Sequence, residues 1–181
     1  MPLRLTVIGT GYLGAVHAAC MADLGFEVLG VDRDESRVEA LARGEAPFFE
    51  PGLNELLART GATGRLRFTT SLEEAAEFGD VHFICVGTPQ LPGSHAADLG
   101  QVNATIDALG PLLTRPCLVV GKSTVPVGTA VTLAEKLVHV APAGAGVELA
   151  WNPEFLREGF AIEDTVHPDR LVIGVQSQLA E

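Results

Sequence analysis

Apolar and polar positions along the chain alternate between two periods. Short β-branched runs end in glycine, proline or a charged residue: "LRLTVIG", "FEVLGVD", "RLRFTT", "VHFICVGTP", "CLVVGKSTVP", "VELAWNP" and "RLVIGV". These predict strands. Between them lie segments with apolar residues at helical spacing: "YLGAVHAACMADLG", "DESRVEALARG", "EPGLNELLARTG", "SLEEAAEFGD", "QVNATIDALGPLL" and "VGTAVTLAEKLVHVA". Local punctuation agrees. Gly25 and Gly44 stop two of the helices, Pro51 opens another, and Ser71 with Glu74 has the spacing of a capping box. "QLPGSHAADLG" is polar and reads as a loop.

Strands that are apolar on both faces and alternate with helices predict a parallel sheet covered on both sides. Right-handed crossovers make it doubly wound. The fold class is therefore α/β, a mainly parallel, Rossmann-like sheet with helices on both faces, occupying residues 1–181 without a repeat or an internal linker.

Composition narrows the function. Lys and Arg number 12 against 23 Asp and Glu, a net charge of −11, which argues against nucleic acid or an anionic membrane as partner. The three cysteines, Cys20, Cys85 and Cys117, form no C-x-x-C. Cys85 and Cys117 sit in apolar runs and read as buried thiols of a reducing compartment. The five histidines lack metal-ligand spacing, so no metal is expected. With no signal-peptide pattern and no apolar run of membrane-spanning length, the expected location is cytoplasmic.

Two places carry candidate chemistry. "GTGYLG" (Gly9, Thr10, Gly11, Tyr12, Leu13, Gly14) follows a strand and opens a helix, the context that a G-x-G-x-x-G phosphate cradle requires. Gly9 permits the turn, Gly11 admits a pyrophosphate and Gly14 lets the helix approach the sheet. Asp32 ends the second strand at about the interval expected for a carboxylate on the adenosine ribose, which favours NAD over NADP. Arg37, one turn further on, can reach the adenosine. For Arg33 a solvated helix face is the preferred reading, although an arginine there can host a 2′-phosphate.

The second place is the carboxyl edge of the sheet, where such folds gather ligands. "VGTPQ" (Val86, Gly87, Thr88, Pro89 and Gln90), "KSTVPVGT" with Ser123 and Thr124, and "NPEFLREG" with Glu154, Phe155, Leu156, Arg157 and Glu158 all end strands there. Each alone is read as well by ordinary turn and cap residues. Three on one edge beside a cradle point to a site. Apolar neighbours raise a carboxylate's pKa toward that of a working base, and Phe155 and Leu156 are expected to do this for Glu154. The plainer reading of Glu158 pairs it with Arg157 or Arg170.

Taken together, "GTGYLG", "VDRDESRVEAL", "FEPGLNELL", "VGTP", "KSTVPVGT" and "NPEFLREGFAIEDTVHPDRLVIG" resemble the N-terminal domain of the nucleotide-sugar dehydrogenases, over about Leu3 to Val175. "HPDR" and the "GTP…DL" loop are closer to the UDP-glucose 6-dehydrogenases than to the GDP-mannose or UDP-N-acetylmannosamine enzymes. The resemblance implies oxidation of UDP-glucose to UDP-glucuronate, by way of an aldehyde and a cysteine-bound thioester, with two successive reductions of NAD. It implies that Gly9 to Gly14, Asp32, Arg37, Val86 to Pro89, Ser123 and Thr124 bind NAD. Glu154 is implied as the base for thioester hydrolysis, with Thr124 holding the water. Glu158 is implied near the nicotinamide ribose, and the backbone from Glu154 to Glu158 along the substrate channel. It also implies that the nucleophilic cysteine, a catalytic lysine and asparagine, the long helix of a homodimer and the uridine-binding domain lie outside these 181 residues. The chain alone is then expected to be inactive, and a monomer or weak dimer. Two other readings stay open: an NAD-sensing module without chemistry, and a β-hydroxyacid dehydrogenase, which would leave "NPEFLREG" without a role.

Overall fold

The computed structural model describes residues 3–175 and 177. Six strands, β1 (Arg4–Ile8), β2 (Glu27–Val31), β3 (Leu66–Thr69), β4 (Val81–Ile84), β5 (Cys117–Gly121) and β6 (Val147–Trp151), form one sheet. Its order is β3-β2-β1-β4-β5-β6 and every pair is parallel. The order reverses between β1 and β4, so the carboxyl ends of these two strands flank a crevice.

The helices are α1 (Tyr12–Asp23), α2 (Glu35–Ala42), α3 (Leu53–Ala62), α4 (Leu72–Phe78), α5 (Gly100–Leu109), α6 (Thr129–Val140) and α7 (Ala161–Val166). Alternation along each strand builds two cores. On one face Ile8, Leu29, Ile84, Val119 and Leu149 pack with α4, α5 and α6. On the other, Leu5, Val7, Val28 and Leu66 pack with α1, α3 and α7. The second cover stops short of β5 and β6. There Leu118, Val120 and Ala150 line a concavity of about 850 Å³.

Glycine ends two helices as expected. Gly25 and Gly44 follow the C-caps of α1 and α2 with φ of 104° and 81°, a region that costs other residues strain. Only half of the expected capping box forms. Ser71 Oγ accepts the Glu74 N–H at 3.0 Å, but the Glu74 carboxylate turns to Arg67 at 3.4 Å.

Two local expectations change. "RLVIGV" is not a strand: among the described residues it makes one antiparallel bridge, Gly174 to Trp151, and Leu171, Val172 and Ile173 are about half exposed. The chain from Asn152 to Phe160 is the expected loop after a strand, and a helix that was not expected, α7, follows it. Cys117 is only half-buried, at the start of β5, whereas Cys20 and Cys85 are buried; all three are free thiols.

The rim at the strands' amino ends is held by charge. The Asp80 carboxylate accepts the Arg4 N–H at 3.0 Å and the Arg115 guanidinium at 2.9 Å. Arg115 also donates to the carbonyl of Gly79.

Two buried histidines give the fold a pH limit. His17 on α1 stacks edge-on against Phe83, 4.5 Å between ring centroids, and His82 Nδ1 lies 2.7 Å from Thr6 Oγ1. Neither Nε2 has a partner among the described residues. Burial, helped by Lys122, pushes His17 down to about 3; burial, with Arg115, pushes His82 down to about 4. Both rings are neutral when folded and take a proton when unfolded below about 6.5. Their contribution is complete above pH 6.5 and is lost as pH falls toward 4 and 3. From pH 6.5 to 5 the expected loss is about 2 kcal/mol per histidine. Urea unfolding at pH 7.5 and 5.0 should show it, and His17→Leu should remove about half. An unchanged pH dependence in that variant refutes the assignment.

Candidate functional site

The turn after β1 brings backbone very close to backbone. A Cβ at Gly14 would lie 1.9 Å from the Gly9 carbonyl oxygen, and one at Gly9, where φ is 91°, would lie 2.9 Å from Val86. These glycines let α1 start directly at the crevice. Gly11 differs: a Cβ there would meet nothing within 4 Å. Open space therefore faces the start of α1, whose first-turn N–H groups have no intrahelical partner and no side-chain cap. Such a helix start can receive an anion, the helix dipole favouring its charge.

Asp32 closes the neighbouring strand end and is 8% exposed. Its Oδ2 accepts the Thr10 N–H at 2.9 Å, the Thr10 hydroxyl at 3.1 Å and Arg37 Nη1 at 3.1 Å. Among the described residues Oδ1 accepts only the Asp34 N–H, at 3.1 Å, and keeps acceptor capacity for a ligand hydroxyl. Burial works to raise the Asp32 pKa. The N–H groups of Asp34 and Thr10 and the Arg37 guanidinium outweigh it and hold the carboxyl below its ordinary value. Arg37 thus lies on Asp32 itself. Arg33 is exposed and joins no described ion pair.

The three loops at the carboxyl edge are stitched together. The Ser123 hydroxyl donates to the Val86 carbonyl, and the Thr88 hydroxyl to the Thr124 carbonyl at 2.8 Å. Trp151 Nε1 donates to the Ser123 carbonyl at 2.9 Å. Past β6, the Asn152 N–H bonds Gly121 at 2.8 Å and the Glu154 N–H bonds Lys122 at 3.2 Å. Gly87 and Pro89 are exposed beside them. Trp151 fits only because β5 ends in glycine: a Cβ on Gly121 would enter its ring at 2.3 Å.

Glu154 is half-buried, and its Oε2 accepts the Leu156 N–H at 2.5 Å. The expected apolar crowding is incomplete. Leu156 packs into the second core, but Phe155 is 55% exposed and its ring lies 4.9 Å from the Arg170 guanidinium. The expected pairing of Glu158 is also absent. Arg157 bonds Asp164 at 2.5 Å, Arg170 lies on Phe155, and Glu158 is exposed and in no described ion pair.

Three side chains at this edge escaped the sequence reading. Lys122 is 9% exposed and donates to Asn152 Oδ1 at 2.8 Å; burial lowers its pKa, against the opposing pull of Cys85 and Glu154. Asn152 Nδ2 holds the Val172 carbonyl at 2.9 Å. Glu50, 6% exposed, reaches the Tyr12 hydroxyl and the turn at Gly159. Their partners are distant in sequence, and the one available signal was an acidic residue before Pro51. No group of metal-binding side chains occurs among the described residues, and no described helix is long and apolar enough to cross a membrane.

Comparison with known proteins agrees with this geometry. Residues 3–181 match the NAD-binding domain of the UDP-glucose/GDP-mannose dehydrogenase family. A UDP-glucose 6-dehydrogenase of Rhizobium meliloti is 47% identical over 173 residues, 96% of this chain and 39% of that protein. One from Pseudomonas aeruginosa is 47% identical over 176 residues, 95% of this chain and 38% of that protein. Among solved structures, a UDP-glucose dehydrogenase from Pyrobaculum islandicum superposes with a TM-score of 0.93 at 45% identity, covering 99% of this chain and 42% of the other. The GDP-mannose dehydrogenase of P. aeruginosa gives 0.93 at 35% identity, covering 98% and 42%. The chain spans about two fifths of the length of these relatives. Matched along nearly all its length, it belongs to the UDP-glucose/GDP-mannose dehydrogenase family, as that family's NAD-binding domain.

Proposed function

We propose that this chain is the cofactor half of an enzyme that oxidises the C6 alcohol of UDP-glucose to the carboxylate of UDP-glucuronate. The observation that carries the reading is the stitching of the Val86, Ser123 and Glu154 loops into one edge beside the cradle. The 47% identity to two proteins named UDP-glucose 6-dehydrogenase supports that substrate over GDP-mannose.

In this reading the first-turn N–H groups of α1 hold the pyrophosphate, and Asp32 Oδ1 accepts a hydroxyl of the adenosine ribose. NAD, when bound, supplies the hydride acceptor. Val86 to Pro89 and the Ser123–Thr124 turn border the nicotinamide side. Glu154 takes the proton of the hydrolytic water, which the Thr124 hydroxyl orients. Its single bond to the Leu156 N–H fixes one oxygen and leaves the other to the water. Glu158, free of ion pairing among the described residues, faces the nicotinamide ribose. The backbone from Glu154 to Glu158 lines the sugar channel.

The decisive experiment separates binding from folding at two neighbouring glycines. Gly11→Ala adds a methyl to open space, so the melting temperature should hold while NAD affinity falls at least tenfold, about 1.4 kcal/mol. Gly14→Ala drives a methyl into the Gly9 carbonyl and should cost about 3 kcal/mol of stability. Thermal melts and calorimetric titration read both, and retained NAD affinity in Gly11→Ala refutes the cradle.

Cofactor choice follows from Asp32. A 2′-phosphate would face its carboxylate, so NAD should bind at least tenfold tighter than NADP, and Asp32→Ser should narrow that gap. Equal affinities in the unmodified chain would transfer the role to Arg33.

A further inference from the structure

Glu50 is a buried carboxylate held, among the described residues, by neutral donors. It is 6% exposed, lies in the loop before Pro51, and joins no described ion pair. Its oxygens are taken instead by three neutral donors. Oε1 accepts the Ala161 N–H at 2.9 Å, and Oε2 accepts the Gly159 N–H at 2.8 Å and the Tyr12 hydroxyl. The Gly159 N–H is shared with the Tyr12 oxygen at 3.2 Å. Burying such a group is costly unless its acceptors are satisfied. A neutral amide in its place would accept on one atom only and would turn an N–H toward N–H donors.

The positions of the three donors show what the carboxylate joins. Tyr12 is the first residue of α1, directly after the open space at Gly11. Gly159 has a φ of 84° and makes the turn immediately after Glu158. Ala161 is the first residue of α7, which packs against α1. These donors are 38, 109 and 111 residues from Glu50 in sequence. Among the described residues no strand ladder reaches the turn. Burial and the bond to Glu50 push the Tyr12 phenol up to about 12, so it remains a donor across the neutral range. Tyr12 also stacks on Phe48, 5.2 Å between centroids, two residues before Glu50.

We propose that Glu50 is a positioning residue that fixes the Glu158 turn against the start of α1, so that both halves of a dinucleotide meet preset surfaces. It deepens the function above and rests on reading Glu158 as facing the nicotinamide ribose. Glu50 touches neither ligand nor reacting atoms; it acts through Gly159, Ala161 and Tyr12.

ADP and NAD distinguish this role from plain packing. ADP uses only the cradle and Asp32; NAD uses the Glu158 turn as well. In Glu50→Gln, NAD affinity should fall five- to tenfold while ADP affinity stays within twofold. Amide exchange at Gly159 and Ala161 should be at least tenfold faster. Should Glu50→Gln fail to fold, Tyr12→Phe removes one donor and keeps the ring. Because Tyr12 belongs to the cradle itself, exchange alone is read in that variant, and it should be faster at Gly159. An equal loss of both ligands, or no loss of either, overturns the proposal. If the unmodified chain binds NAD no more tightly than ADP, the reading of Glu158 is what fails. Exchange at the two amides then decides the positioning by itself: faster in the variant upholds it, unchanged overturns it.

Discussion

The structure depends on one close approach, the helix α1 set against the end of β1 with no side chain between them. At 1.9 Å from the Gly9 carbonyl, the Gly14 position tolerates hydrogen alone. That contact fixes where α1 begins, and so where its unpartnered N–H groups point. It also sets Thr10 so that its N–H and hydroxyl both reach Asp32. Tyr12, next along, then meets Glu50. The ligand-facing geometry is thus a consequence of packing at two glycines, and each later contact inherits their placement.

The carboxyl edge is built by a different device. Past the strand ends the ladder continues briefly, through bonds such as Asn152 to Gly121 and Glu154 to Lys122, and the other backbone groups need different partners. Ser123, Thr88 and the Trp151 indole supply these across the strands. Glu154 therefore stands on a cross-braced rim, although its segment has no regular secondary structure. Such bracing suits the base proposed for this position, since a displacement of about 1 Å is enough to impair chemistry.

The fold was legible in the sequence wherever its cause is local. Strand periodicity, the Gly25 and Gly44 stops, the Ser71 cap and the G-x-G-x-x-G turn each rest on a few adjacent residues, and each appears in the structure. The misses depend on partners beyond the immediate neighbours. "RLVIGV" has strand composition, but its described contact with the sheet is a single bridge at Trp151. Arg157 looked available to Glu158, yet Asp164 on α7 claims it, and α7 was itself unforeseen. Its signals were modest: an acidic first turn at Glu163 and Asp164, with Pro168 just beyond its end. Glu50 showed only as an acidic residue before Pro51, because two of its three donors lie more than a hundred residues away.

The two rims of the sheet are fastened by different physics. At the amino ends Asp80 joins Arg4 and Arg115 as an ionic clasp, partly open to water. At the carboxyl ends the braces are mostly neutral hydroxyl, indole and amide bonds. Dissolved ions weaken the first kind and pass over the second. Salt therefore bears on the amino-end clasp and on the Arg37–Asp32 and Arg157–Asp164 pairs at the other edge, while the hydroxyl and indole braces between the three loops hold in brine as in dilute buffer.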